Sequence, residues 1–367
     1  MRRAREILGA WRRSLRVLTN RRAVGVHYWL RDNAYHDMIY GRFGGASSVQ
    51  PLTLIGELKA FVRLPARGRV LWVHCESNYS WGAFEHEMEP RFQSYMRALQ
   101  RWAAKGGQIV WTLHDNVLHQ FDHDPKRLRA IRAFLGKHAT MFHVPSHAAK
   151  QIVARDFDLS DDKIVVVPHP SYANHYGVAE RTANDTASAR RLLCFGYVKT
   201  YKNYTQMCQA LVDMPAGGFE RLTIAGKREG DVDLMEDQLS EQLDLDLRLR
   251  FIADDEVPAL FADAHFMVLP YSESLTSGVA ALAMGFGVPV IGSKLGGMQE
   301  SVPVECHELL YDPQEQGALR RALERARDMT AEDYAKLRQA CVAFGESIHP
   351  DKVSEQLQAV LRERLAA

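Results

Sequence analysis

Cysteine is scarce in this chain: five among 367 residues, at positions 75, 194, 208, 306 and 341. They are scattered, odd in number and never spaced C-x-x-C, which excludes a disulfide framework or zinc site and fits a reducing compartment. No run approaches the ~18 consecutive apolar residues of a membrane span. Arginines interrupt the amino terminus, so it does not read as a secretory signal. Charge of one sign is not in excess: 46 Lys and Arg face 45 Asp and Glu, net +1, too balanced for a dedicated nucleic-acid binder. The Gly-x-Gly-x-x-Gly fingerprint of dinucleotide enzymes and the P-loop are both missing. What remains is an ordinary globular composition, 46% hydrophobic and 25% charged, long enough for two or three domains.

The even balance conceals one basic segment. Eight arginines against Glu6 give residues 1–22 a charge of +7, which leaves −6 for the other 345 residues. Ile7, Leu8, Trp11, Leu15 and Leu18 recur at helical spacing among these arginines. Such an amphipathic arm suits the surface of an anionic bilayer. A helix docked on the protein's own core, or an organellar transit peptide, has the same pattern. The expected location is the cytoplasm, peripheral on the inner face of the cell membrane.

Short apolar runs alternate with amphipathic stretches. In the first half they are Val24–Leu30, Val70–Val73, Ile109–Leu113, Thr140–Val144 and Ile164–Val167, with helices such as Pro90–Ala104 and Pro125–Gly136 between them. In the second half they are Leu192–Phe195, Leu222–Ala225, Leu247–Ile252, Phe266–Leu269 and Val288–Ile291. Leu247–Ile252 alternates Leu with Arg and reads as half exposed, near a sheet edge. Runs apolar on both faces and separated by helices indicate covered parallel sheets. The polar, aperiodic Val178–Arg190 reads as a linker. The expectation is an α/β chain with an arm at 1–22, a first doubly wound domain at 23–177, a linker at 178–190, a second such domain at 191–348 and a terminal helix at 349–367 that returns to the first domain.

Open parallel sheets bind ligands beyond the carboxyl ends of their strands. In the first half those ends carry His74, His114, His147 and His169, read as the lining of one cleft. Asn33 and Tyr35 fall in the loop after the first strand and join His74 and His169 as candidates to line that cleft. In the second half Phe195 runs into Gly196, followed by Lys199 and Lys202 before a helix over Tyr204–Met214. Glycine at a strand end with lysines at a helix start suits a diphosphate, because backbone N–H groups, helix dipole and ammonium all favour the anion. The stretch after Leu269 offers Glu273, Ser274, Thr276, Ser277, Gly278 and Val279, with hydroxyls and free N–H groups at a second helix start. His114, His119 and His123 with Asp122 do not share a helical face, so no metal site is expected.

These residues resemble a family pattern. Gly196 and Lys202, Ala262-Asp263-Ala264 through Pro270, Ser277-Gly278, Ala283-Met284, Gly287-Val288-Pro289-Val290 and Gly296-Gly297-Met298-Gln299-Glu300 are similar to the nucleotide-sugar-binding domain of GT-B glycosyltransferases. Ser274 and Leu282 stand where many retaining members carry two glutamates, with Glu273 one position earlier. Tyr197 stands where an arginine often follows the glycine. Asn33-Ala34-Tyr35 with Tyr40, Trp72-Val73-His74 and Thr112–Asn116 look like bacterial xanthan-type mannosyltransferases, which invert.

The resemblance implies two Rossmann-like domains facing a central cleft. It also implies metal-independent transfer from a GDP- or UDP-sugar to a glycan or lipid-linked acceptor in surface-polysaccharide assembly. It implies no cofactor beyond that co-substrate. An inverting transfer needs a base, for which Asp32, Glu76, His114 and Asp115 are candidates; the preferred set is Asp115 or Glu76, oriented by His114. The rival readings are a GT-B epimerase or phosphorylase, and an inactive GT-B module that binds a nucleotide sugar or a partner transferase.

Overall fold

The computed structural model describes residues 23–27, 34–43, 48–52, 54–74, 76, 85–114, 125–172, 175–177, 182–183 and 190–365. The arm at 1–22, Asp32, Asn33, Asp115 and the His119–His123 stretch lie outside them. The chain forms two compact units, one from residues up to Val144, Lys150–Val167 and Ser354 onward, the other from Pro145–Ala149 and Pro168–Val353. Residues 168–177, assigned to the first domain from sequence, therefore fold with the second unit. Ser171 shows why: its N–H donates to Ile348 O (2.9 Å) and its hydroxyl to Gly345 O (2.9 Å).

The first unit holds β1 (Ala23–His27), α1 (Ala34–Tyr40), β2 (Ser48–Pro51), α2 (Ile55–Phe61), β3 (Arg69–Val73), α3 (Glu85–Ala104), β4 (Gln108–Thr112), α4 (Pro125–His138), β5 (Met141–Val144), most of α5 (His147–Phe157) and β6 (Ile164–Val166). The six strands are parallel in the order β2-β1-β3-β4-β5-β6. β1 and β3 are buried along their whole length, as a strand covered on both faces requires. Crossovers α2 to α5 all step from β2 toward β6. α1 steps the other way, so right-handed connections place it on the opposite face. The large core aromatics keep their polar ends satisfied: Trp72 Nε1 donates to Thr112 Oγ1 (2.7 Å) and Trp102 Nε1 to Gln108 O (2.9 Å). Late in the chain, α12 (Pro350–Leu365) enters this unit at Ser354, whose hydroxyl donates to Ile39 O (2.8 Å) in α1.

The second unit holds β7 (Arg190–Phe195), α6 (Tyr204–Val212), β8 (Phe219–Ala225), α7 (Glu236–Ser240), β9 (Asp244–Arg248), α8 (Val257–Asp263), β10 (Phe266–Leu269), α9 (Gly278–Gly285), β11 (Val290–Ser293), β12 (Leu310–Tyr311), α10 (Ala318–Asp328) and α11 (Ala331–Ser347). Its parallel order is β12-β11-β10-β7-β8-β9. β9 is the edge expected, but it spans Asp244–Arg248 rather than Leu247–Ile252. Pairing with β8 from Arg221↔Asp244 to Ala225↔Arg248 sets its register. β11 likewise begins two residues later than its apolar run. Among the described residues, no helix is long and apolar enough to cross a membrane.

Candidate functional site

Each sheet has a point where connections from neighbouring strands leave in opposite directions, which is where open parallel sheets bind ligands. In the second unit it lies between β7 and β10. Beyond β7 the chain turns at Gly196 (φ 92°), whose N–H donates to Ala225 O (2.9 Å). Gly226 (φ 153°), after β8, lies against it: a Cβ there would stand 2.0 Å from Gly196 O. Only a glycine at 226 allows these loops to touch, and Val198 N–H to Lys227 O (2.9 Å) continues the contact.

A short helical turn, Thr200–Lys202, then leads into α6. It folds Lys202 back under the glycine, with Nζ donating to Phe195 O (3.2 Å) and 3.0 Å from where a Gly196 Cβ would lie. Lys202 is only 5% exposed. Burial pulls its pKa down to about 8; Cys194 opposes that shift and the Lys199 charge adds to it. Lys199 behaves differently. Its Nζ pairs with Glu229 (3.0 Å), which holds the Glu229 carboxyl below its ordinary pKa through that hydrogen bond. Of the two lysines expected here, Lys202 is the buried cation beside Gly196.

Beyond β10, Ser272 N–H donates to Tyr201 O (2.8 Å) and ties this loop to the first. The Tyr271 ring lies 5.3 Å from Lys202 Nζ. Ser277 caps α9, its Oγ accepting from Ala280 N–H (3.1 Å). The first N–H groups of α9, on Gly278 and Val279, have no intrahelical carbonyl to meet. Val279 Cγ2 is 3.8 Å from the Gly196 Cβ position, so helix start, glycine and ammonium share one place. Ser274 Oγ donates to Thr276 O (3.0 Å); Glu273, Ser274 and Thr276 are half-buried on the same loop. Glu300 braces the surroundings by accepting from His147 N–H (2.7 Å) and Ala148 N–H (2.8 Å).

His169 belongs to this unit, whereas His74 belongs to the first. Its Nε2 stands 3.3 Å, and Tyr172 Oη 3.4 Å, from a would-be Gly278 Cβ. Burial pushes the imidazole pKa down to about 4, so the ring is neutral near pH 7 and its Nδ1–H donates to Pro170 O (3.0 Å). The four strand-end histidines therefore divide, with His147 and His169 in the second unit and His74 and His114 in the first.

In the first unit the reversal lies between β1 and β3. His74 follows β3, and its Nε2 is 2.7 Å from His114 Nε2 beyond β4. Tyr40 Oη is 2.7 Å from His74 Nδ1. Tyr35 packs on both imidazoles, at 4.8 Å from His74 and 5.5 Å from His114. Glu76 faces elsewhere: Arg132 donates to its Oε1 through Nε (3.0 Å) and Nη2 (2.8 Å), and Trp111 Nε1 donates to Oε2 (3.4 Å). Both oxygens of this buried carboxylate are engaged. Among the described residues, no group of three or more His, Cys, Asp or Glu is placed to hold a metal ion.

Sequence reasoning missed Gly226, Tyr271 and Arg132. Ala225-Gly226-Lys227 at a strand end was a legible signal for the first. Nothing local marks Arg132 as the partner of a residue 56 positions away.

Residues 189–328, which contain this glycine, lysine and helix start, match the family model of group 1 glycosyl transferases. No curated protein sequence matches the chain significantly. The fold is similar to that of Anabaena Alr3699/HepE, solved in complex with UDP, at TM-score 0.69 and 14% identity, covering 93% of this chain and 100% of that one. It is also similar to sucrose-phosphate synthase from Thermosynechococcus elongatus, at TM-score 0.61 and 16% identity, covering 94% and 100%. A third similar structure is the trehalose 6-phosphate synthase of Burkholderia multivorans, at 0.60 and 14%, covering 94% and 97%. The chain has the GT-B fold.

Proposed function

We propose that the protein is a glycosyltransferase that moves a hexose from a UDP- or GDP-sugar to a hydroxyl of a glycan or lipid-linked acceptor. The single observation behind this reading is the convergence of the buried Lys202 ammonium with the open α9 N–H groups at Gly278 and Val279, beside Gly196. As the anomeric C–O bond breaks, negative charge grows on the leaving diphosphate. A preformed set of donors in a dry site stabilises that charge without reorganising. The complexes of HepE with UDP and with UDP-glucose support the donor class. His169, neutral beside Gly278, suits a hydroxyl more than a phosphate.

The acceptor hydroxyl must lose its proton, and His114 or its sequence neighbour Asp115 is the candidate group. Glu76 is committed to Arg132. The Trp, Leu and Arg pattern of residues 1–22 supports a peripheral seat on the inner membrane face, where a lipid-linked acceptor of surface-polysaccharide assembly resides.

The test is calorimetric titration with UDP and GDP, followed by turnover of their sugars with lipid-linked acceptors in anionic vesicles. Binding and transfer are expected, with transfer falling when residues 1–20 are removed. Binding without any turnover would instead favour an inactive module, the reading that Ser274 and Leu282 at the glutamate positions support.

A further inference from the structure

Among the described residues four strands edge the two sheets. β2 carries Pro51, β6 has three residues and β12 has two. Proline and shortness make an edge unfit to receive another strand. β9 has neither protection. Its five residues pair with β8 from Asp244 to Arg248 without a register shift, so the edge is regular. Gly226 N–H donates to Arg248 O (3.0 Å), which turns the backbone groups of Arg248, and of Asp246 two residues before it, toward β8. Those of Leu245 and Leu247 alternate with them and point away from the sheet. Among the described residues no strand lies on that side.

The side chains along this edge run in a set order. Asp244-Leu245-Asp246-Leu247-Arg248-Leu249-Arg250 places its acids first, its bases last and a leucine between each pair. The charges share one face, where Arg248 Nε donates to Asp246 Oδ2 (3.0 Å) and Asp244 pairs with Arg221 (2.6 Å). Asp246 and Arg248 keep side-chain exposures of 30% and 38%, so their bridge contributes little to the fold of one chain. On the other face Leu245, Leu247 and Leu249 pack against the core of the unit but stay only half-buried. An edge charged in this way repels most strands, yet it matches its own sequence read backwards.

We propose that β9 is the surface through which two copies of this chain pair, antiparallel about a two-fold axis at Leu247, so that two six-stranded sheets become one. Leu247 faces Leu247 of the second copy, and the two exchange N–H···O bonds. On each side of the axis Asp246 stands opposite Arg248 of the second copy, at the closer, non-hydrogen-bonded positions. Leu245 stands opposite Leu249, where the ladder ends because Arg250 N–H turns back to Arg248 O (2.8 Å). Opposite charges directly across an antiparallel pair stabilise it and like charges destabilise it. That selects the register, since a slip of two residues sets Asp246 against Asp246, or Arg248 against Arg248, of the second copy. The same register covers the half-exposed leucines. It also brings Phe251, 69% exposed just beyond the strand, level with Leu243 of the second copy.

Sedimentation of the full chain from micromolar to submillimolar concentration should show a species of twice its mass. Asp246→Arg leaves only arginines around the axis and Arg248→Asp only aspartates. Each should raise the dissociation constant of the dimer on the order of tenfold or more. Mixed in equal amounts, the two variants are complementary and should form a mixed dimer, which neither forms with itself. The double variant, with both charges exchanged, should pair with itself again. In the wild type, hydrogen exchange at the Leu245 and Leu247 amides should be slow in the dimer and fast on dilution. A wild-type chain that stays monomeric throughout overturns the proposal. So does a dimer whose Leu245 and Leu247 amides exchange freely, a dimer that both single variants retain, or folded single variants that stay apart when mixed.

Discussion

Lys202→Met should make the protein more stable and, at the same time, a poorer binder of nucleotide. The ammonium is buried against Phe195 O, and its pKa is brought from 10.5 to about 8. In the unfolded chain the group stays protonated up to about 10.4. Below pH about 8 both states carry the charge, and the folded state bears the whole cost of burying it. Between about 8 and 10.5 the folded protein has released the proton and the unfolded one has not, so the stability of the wild type rises with pH across that window. A shift of this size corresponds to at most about 3 kcal/mol. Methionine fills the same space without charge, so Lys202→Met should melt higher at pH 7 and lose the rise between pH 8 and 10.5.

Nucleotide affinity should respond in the opposite sense. A charge-assisted bond to a phosphate contributes roughly 1.5–3 kcal/mol, so the dissociation constant of UDP should rise about 10- to 100-fold. Wild-type affinity should weaken above pH about 8 as the ammonium deprotonates, and that dependence should vanish in the variant. Chemical denaturation and calorimetry across pH measure both halves. A variant less stable than wild type at pH 7, or one with unchanged UDP affinity, contradicts the assignment of Lys202.

Arg132→Ala carries the second large effect. Glu76 and Arg132 are both buried, with side-chain exposures of 8% and 11%, and they share two hydrogen bonds. Removing the arginine strands a carboxylate that cannot reach water, a change that typically costs about 3–5 kcal/mol. Replacing the pair together by leucines removes the stranded charge and should lose far less. Denaturant titrations of Arg132→Ala, Glu76→Leu and the double leucine variant measure the coupling. Additive losses would show that Glu76 does not depend on Arg132 and return it to the list of candidate bases.

The places where sequence reading succeeded and failed have physical causes. Phe266–Leu269 is buried along its whole length, and its apolar run coincides with the strand. The run Asp244–Arg250 alternates without a break, so alternation identified an exposed edge but could not say where pairing stops; the ladder with β8 ends at Arg248. β2 reads Ser48-Val49-Gln50-Pro51, with no apolar run, and β12 is only two residues long, so neither leaves a signal. The polar stretch 178–190 looked like the natural boundary. The units divide ten residues earlier, because Ser171 bonds to residues more than 170 positions away.

At the site, the strand-end rule found Gly196, Lys202 and the start of α9, since each is a local feature of a strand meeting a helix. It could not choose between Lys199 and Lys202, because Glu229, which pairs with the former, lies in the loop after β8. Nor could it separate four histidines that look alike in one dimension. His74 meets His114, whereas His169 packs beside Gly278.

A crystal structure with UDP bound tests the central claim most directly. The diphosphate should lie within hydrogen-bond distance of Lys202 Nζ and of the Gly278 and Val279 N–H groups, against the bare face of Gly196. UDP held elsewhere, with Lys202 still turned to Phe195 O alone and the start of α9 untouched, would contradict it.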